Sequence, residues 1–176
     1  MTIKTIFLDR DGVINKEVNY LYKIDDFKFI DGIFDACLHF QQLGFQIIIV
    51  TNQSGIERGY YTEADYQLIT EWMLVQFENR GIKILDIFHC PHGSNSTCSC
   101  RKPQPGMFLK AESKYNINMQ KSWMIGDREI DIVAANRAGI TNTILIKTGY
   151  LIEESSSNAS YTLDSIQQSL KLISIK

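Results

Sequence analysis

An α/β fold, with an open Rossmann-like parallel sheet and helices on both faces, follows from three features of this 176-residue sequence. Short, nearly continuous apolar runs recur. Helical patterns fill the intervals between them. Polar clusters stand where the apolar runs stop. Runs of this kind suit strands buried on both faces, and strands alternating with helices argue for a parallel sheet. The length suits one domain, 1–176, with a sizeable core.

The strands are predicted at "TIFL" (5–8), "FQIIIV" (45–50), "DIFHC" (86–90), "WMIG" (123–126) and "TILIK" (143–147). After the first, Asp31 is placed to cap a helix that turns Ile33, Phe34, Cys37, Leu38 and Phe40 inward, and Gly44 to end it. Thr62 with Asp65 reads as a capping-box-like start. The helix that follows carries Tyr66, Ile69, Met73 and Phe77 inward, with Gly81 just beyond it. A third helix is expected from about Met107, after "KPQPG". A fourth runs from about Glu129 to Ala138, where Gly139 stops it. A polar stretch, "EESSSNAS" (153–160), precedes a last amphipathic segment with Leu163, Ile166, Leu170 and Ile173.

Composition narrows the function classes. The formal net charge is −2, and no aromatic–basic stripe is visible, which argues against nucleic-acid binding. No leader-like n-region and h-region and no bilayer-length apolar run occur, so a cytoplasmic protein without a membrane partner is expected. A monomer is the default expectation. Three of the four cysteines cluster, which in a reducing compartment points to a metal rather than to disulfides. The fourth, Cys37, lies on an apolar helix face and reads as core. His39 and His89 lack ligand partners in the sequence and read as structural or solvent-facing.

In an open α/β sheet, ligands bind beyond the carboxyl ends of the strands. That rule selects "DRD" (9–11), "TNQSG" (51–55), "CPHGSNSTCSCRK" (90–102) and "GDREID" (126–131), all on one edge. Asp9, Asp11 and Asp127 would meet there. Three carboxylates at close range need a cation, and hard oxygen ligands suit Mg²⁺. The Thr51 hydroxyl and the Lys102 ammonium would then hold the oxygens of a phosphoryl group.

"DRDGVIN", "TNQSG", the lysine of "CRKPQPG" and "GDREID" together resemble the four motifs of the haloacid dehalogenase superfamily of phosphotransferases. More narrowly, "TNQSGIERGYYTEADY" and "CRKPQPGM" resemble its capless, zinc-loop, histidinol-phosphatase-like subgroup of heptose bisphosphate phosphatases, over nearly the whole chain. The resemblance implies a capless haloacid dehalogenase fold and a Mg²⁺-dependent phosphatase. Its substrate would be a small-molecule sugar bisphosphate, a heptose 1,7-bisphosphate that loses its C7 phosphate on the way to ADP- or GDP-heptose. It implies Asp9 as nucleophile, forming an aspartyl-phosphate, and Asp11 as the acid and then the base. Thr51 and Lys102 would stabilise the phosphoryl group. Mg²⁺ would be held by the Asp9 side chain, the Asp11 main-chain oxygen and Asp127. Asp131, one helical turn beyond Asp127, would act on the ion through water.

The loop "CPHGSNSTCSC" supplies Cys90, His92, Cys98 and Cys100. Three thiolates and one imidazole make a closed tetrahedral structural zinc site, with no position left open for catalysis. The loop has almost no apolar residues, so the metal would replace a core. Arg101 and Lys102 follow the last ligand directly and would be held rigidly. The bland alternative is a set of buried cysteines with an incidental histidine.

The intervals between motifs are too short for a folded cap, so loops should select the substrate. By correspondence with the subgroup, the candidates are Glu17, Val18, Asn19, Tyr20, Asn52, Gln53, Ser54, Arg101 and Arg128, with Arg58 adding positive charge near the mouth. Two other readings stay open at this point. One is a histidinol-phosphate or other small phosphomonoester phosphatase. The other is a degenerate phosphatase fold kept as a binding module.

Overall fold

The computed structural model describes residues 2–148 and 157–174. Six parallel strands form one sheet: β1 (Thr5–Leu8), β2 (Gln46–Asn52), β3 (Ile84–Cys90), β4 (Trp123–Gly126), β5 (Asn142–Ile146) and β6 (Tyr161–Leu163). Their order is β3-β2-β1-β4-β5-β6. The chain builds outward from β1 to β3, then returns to β1's other side and builds outward again. The reversal lies between β1 and β4, where this strand order places a binding crevice.

Strand alternation feeds two cores. Ile6 and Leu8 of β1, with Ile47 and Ile49 of β2, face a core shared with α1 (Ile33–Gln42) and α2 (Glu63–Glu78). Phe7, Ile48, Val50 and Met124 face the opposite core. There they meet Met107, Phe108 and Ala111 of α3 (Gly106–Tyr115) and Ala134 and Ala135 of α4 (Glu129–Arg137). The helices therefore cover both faces, as predicted. Among the described residues, no helix is long and apolar enough to cross a membrane.

The five predicted strands are present, within two residues at each end. The α2 start is a full capping box: Thr62 Oγ1 accepts from the Asp65 N–H, and Asp65 Oδ2 accepts from the Thr62 N–H. Gly44, Gly81 and Gly139 follow helix ends with φ of +80°, +73° and +88°. Two expectations are corrected. Asp31 does not cap α1. Gly32 occupies that position at φ +82°, with no side-chain cap, and its carbonyl accepts from the Ala36 N–H. Leu163 does not belong to a continuous amphipathic segment. It ends β6, paired with Ile146. A 3-10 turn (Ile166–Gln168) and the short α5 (Ser169–Leu172) follow, and Ile166 and Ile173 are buried. Of the predicted polar stretch at 153–160, residues 153–156 lie outside the described residues.

Cys37 is buried in the α1 core, as predicted, and burial pushes its thiol pKa up. His39 Nε2 lies 2.7 Å from the Ile173 carbonyl and ties α1 to the C-terminal segment. His89 Nε2 lies 2.8 Å from Glu63 and its ring rests on Tyr66. Neither histidine reaches the carboxyl edge cluster described next.

Candidate active site

β1 and β4 are neighbours, with Leu8 opposite Ile125. The residues just past their ends, Asp9 and Asp127, are therefore brought side by side. Asp131 joins them from the first turn of α4. Its Oδ2 accepts from the Arg128 N–H and caps that helix. One carboxylate oxygen from each of Asp9, Asp127 and Asp131 lies within 4.8 Å of the others. All three residues are buried.

Lys102 provides a cation in this cluster. Its Nζ lies 3.0 Å from Asp9 Oδ1 and 2.7 Å from Asp131 Oδ1, and it donates to the Val50 carbonyl at 2.8 Å. These two carboxylates hold the ammonium pKa up despite its burial. The Lys102 backbone is clamped by one side chain. Asn52 Oδ1 accepts from the Lys102 N–H at 3.0 Å, and Asn52 Nδ2 donates to the Lys102 carbonyl at 3.1 Å.

One ammonium does not balance three carboxylates. Both oxygens of Asp127 are buried without a hydrogen-bond partner. Burial, then the neighbouring Asp9, pushes the Asp127 pKa up to about 9. Burial, opposed by Lys102, raises that of Asp9 to about 7. Orphaned hard oxygens in an acidic cluster fit a divalent cation of the Mg²⁺ type. Gly12 makes the approach possible. Its φ is +87°, and a Cβ there would lie 2.1 Å from Asp127 Oδ2.

Asp131 has a partner that the sequence did not reveal. It pairs directly with Lys102. Its helical position, read alone, gave only the spacing from Asp127.

Asp11 sits beside the cluster, and its carboxylate is held by donors. Oδ1 accepts from Arg10 Nε and Nη2 at 3.2 and 2.9 Å and from Asn15 Nδ2 at 3.0 Å. Oδ2 accepts from Gln53 Nε2 at 3.0 Å. Gln53 Nε2 also donates to Thr51 Oγ1 at 2.8 Å. One amide thus links the second strand's threonine to the first strand's acid.

A cavity of about 240 Å³ opens over Asp9, Asp11 and Lys102. Every residue predicted to meet substrate lines it: Glu17, Val18, Asn19, Tyr20, Asn52, Gln53, Ser54, Arg101 and Arg128, with Arg58 beside them. Within that set, Asn52 and Gln53 already spend their amides on Lys102, Asp11 and Thr51. Glu17 faces Arg128 at 3.7 Å, and burial, then Asp11, raises its carboxyl pKa to about 6. Leu21, Gly55, Tyr61 and Ile130 line the cavity too and escaped the sequence reading. Tyr61 stands among tyrosines in "GYYTEADY" with no local signal of its partner.

The cysteine loop converges as predicted. Cys90, His92, Cys98 and Cys100 each offer a ligand atom within 4.8 Å of the others. His92 Nδ1 lies 3.4 Å from Cys90 Sγ and 3.3 Å from Cys100 Sγ. All the cysteines are free thiols. Four such donors around one point fit zinc. Arg101 Nη1 donates to the His92 carbonyl at 2.9 Å, so the loop anchors the arginine at the cavity wall. Glu57 accepts from the Gly93 N–H and ties the segment after β2 to the same loop.

Comparisons with known proteins agree with this geometry. A family model described as HAD-hydrolase-like matches residues 99–171. The chain is 49% identical, over 164 residues, to a D-glycero-alpha-D-manno-heptose-1,7-bisphosphate 7-phosphatase of Photorhabdus laumondii, covering 89% of this chain and 90% of that protein. It is 42% identical, over 180 residues, to a D-glycero-beta-D-manno-heptose-1,7-bisphosphate 7-phosphatase of Yersinia pestis, covering 98% and 96%. A crystal structure of D,D-heptose 1.7-bisphosphate phosphatase from B. bronchiseptica, complexed with magnesium and phosphate, matches with a TM-score of 0.84. The identity is 29%, and 97% of each chain is covered.

Proposed function

The chain belongs to the heptose-1,7-bisphosphate 7-phosphatases of the haloacid dehalogenase superfamily, and we propose that it removes the C7 phosphate of D-glycero-D-manno-heptose 1,7-bisphosphate by way of an aspartyl-phosphate. The observation that carries this is Asp9 at the floor of the cavity, 3.0 Å from the Lys102 ammonium and beside the unpartnered Asp127 carboxylate.

Mg²⁺ would be held by the Asp9 side chain, the Asp11 main-chain oxygen and Asp127, with Asp131 behind them on Lys102. When bound, it supplies positive charge against the phosphoryl oxygens. Asp9 attacks phosphorus with a carboxylate oxygen as the bond to the C7 oxygen breaks. Asp11 gives a proton to the departing sugar oxygen, then takes one from the water that cleaves the aspartyl-phosphate. Thr51 and Lys102 steady the phosphoryl charge as it redistributes. Zinc at Cys90, His92, Cys98 and Cys100 would make a structural centre, fixing the loop that delivers Arg101 and Lys102.

The arginines at the mouth, Arg58, Arg101 and Arg128, suit a substrate with a second phosphate. The higher identity to the relative named for the α anomer supports that anomer as the preferred substrate. Phosphate release with Mg²⁺ tests both points, comparing the two anomers with histidinol phosphate at equal concentration. The expected result is a large kcat/KM advantage for a heptose anomer. A preference for histidinol phosphate would keep the chemistry and discard the heptose.

A further inference from the structure

Four donor contacts fix the Asp11 carboxylate, and only one of them comes from outside the first loop. That donor is Gln53 Nε2, at 3.0 Å from Oδ2. An amide side chain has an oxygen and a nitrogen end, and only the nitrogen serves here. Reversed, Gln53 Oε1 would face Asp11 Oδ2, acceptor against acceptor. The Tyr61 hydroxyl decides the orientation. It donates to Gln53 Oε1 at 2.5 Å, so the nitrogen must turn toward Asp11 and Thr51.

Tyr61 is itself closely held. It is 5% exposed, and its ring stacks on Tyr22 with centroids 5.5 Å apart and planes at 16°. The next residue, Thr62, is locked by the α2 capping box. Gly55 leaves the space the ring occupies, since a Cβ there would lie 2.1 Å from Tyr61 Cε1. The hydroxyl is committed to Gln53, and burial pushes its pKa up to about 12, so it stays a donor.

We propose that Tyr61 and Gln53 are positioning residues for proton transfer at Asp11: Tyr61 orients the Gln53 amide, and the amide holds the Asp11 carboxylate in line with the leaving oxygen. Tyr61 keeps its own proton throughout. The proton that reaches the sugar oxygen comes from Asp11, as the phosphorus–oxygen bond to C7 breaks and the bond to Asp9 forms. The proposal rests on the phosphatase reading and adds to it a tyrosine whose hydroxyl is committed to Gln53.

The test is Tyr61→Phe, which removes the hydroxyl and keeps the ring. An alkoxide leaving group needs the proton, whereas p-nitrophenolate leaves well without it. kcat/KM reports only the steps through transfer to Asp9, so the later hydrolysis does not blur the contrast. For heptose bisphosphate, kcat/KM should fall roughly tenfold or more, while for p-nitrophenyl phosphate it should stay within about threefold of wild type. An equal loss on both substrates would mark a structural role and overturn the proposal, as would no loss on the sugar phosphate. If the wild-type enzyme turns over the aryl ester but not the heptose, the substrate reading fails instead. The same comparison is then run with an alkyl phosphate that it does hydrolyse.

Discussion

Gly12 and Asp127 are in contact at the centre of the site: a Cβ on Gly12 would lie 2.1 Å from Asp127 Oδ2. The glycine is required twice there, for its φ of +87° and for the room it leaves. Gly12→Ala should therefore strain the first loop and push aside Asp127, the carboxylate proposed to hold the cation. The expected cost is about 1–3 kcal/mol in stability, together with a higher Mg²⁺ concentration for half-maximal activity. Thermal melting and a Mg²⁺ titration of activity check both. A variant with normal Mg²⁺ affinity would show that Asp127 does not depend on this contact.

Asp9→Asn keeps the shape and an acceptor for Lys102 but removes the proposed nucleophile. Turnover should drop by roughly a thousandfold or more, with the melting temperature within about 4 °C of wild type. Near-normal turnover in the stable variant would remove Asp9 from the mechanism.

Cys98→Ser removes one of the four converging ligand atoms. Elemental analysis should show zinc lost, and the melting temperature should fall in step, because the loop has little core without a metal. kcat/KM should fall as well, since Arg101 and Lys102 follow the same loop. Unchanged zinc content would sink the assignment.

Protein freed of Mg²⁺ by dialysis should lose stability as the pH rises from about 6 to 9. Folding raises the Asp9 and Asp127 pKa values from 3.8 to about 7 and about 9. The folded state keeps protons there that the unfolded chain has released. The stability those protons give is complete below the unfolded value and is lost as pH climbs through the folded ones. The slope is at most about 1.4 kcal/mol per pH unit for each proton. Melting curves across that range should show it, and Asp127→Asn should flatten it. A flat wild-type profile would mean that the two carboxyls are not protonated in the folded chain.

What the sequence determined by itself was local or periodic. The five apolar runs, the Thr62–Asp65 box, the terminal glycines and the dense Cys90-to-Cys100 cluster each carry their meaning within a few residues. Parallel strand order then made the four polar clusters share one edge, so Asp9, Thr51, Lys102 and Asp127 were legible before any coordinates. Tertiary structure decided what depends on pairing over distance. Tyr161–Leu163 has no periodic signature: β6 is three residues long and exists through its ladder with β5. Gly32 took the helix start from Asp31 through a left-handed turn. Asp131 reached Lys102 directly, and the Tyr61–Gln53–Asp11 chain joined two loops that meet only at the strand ends. Hydrogen bonds between side chains 42 positions apart, as between Gln53 and Asp11, leave no trace in local composition. They arise where the fold has already brought the loops together.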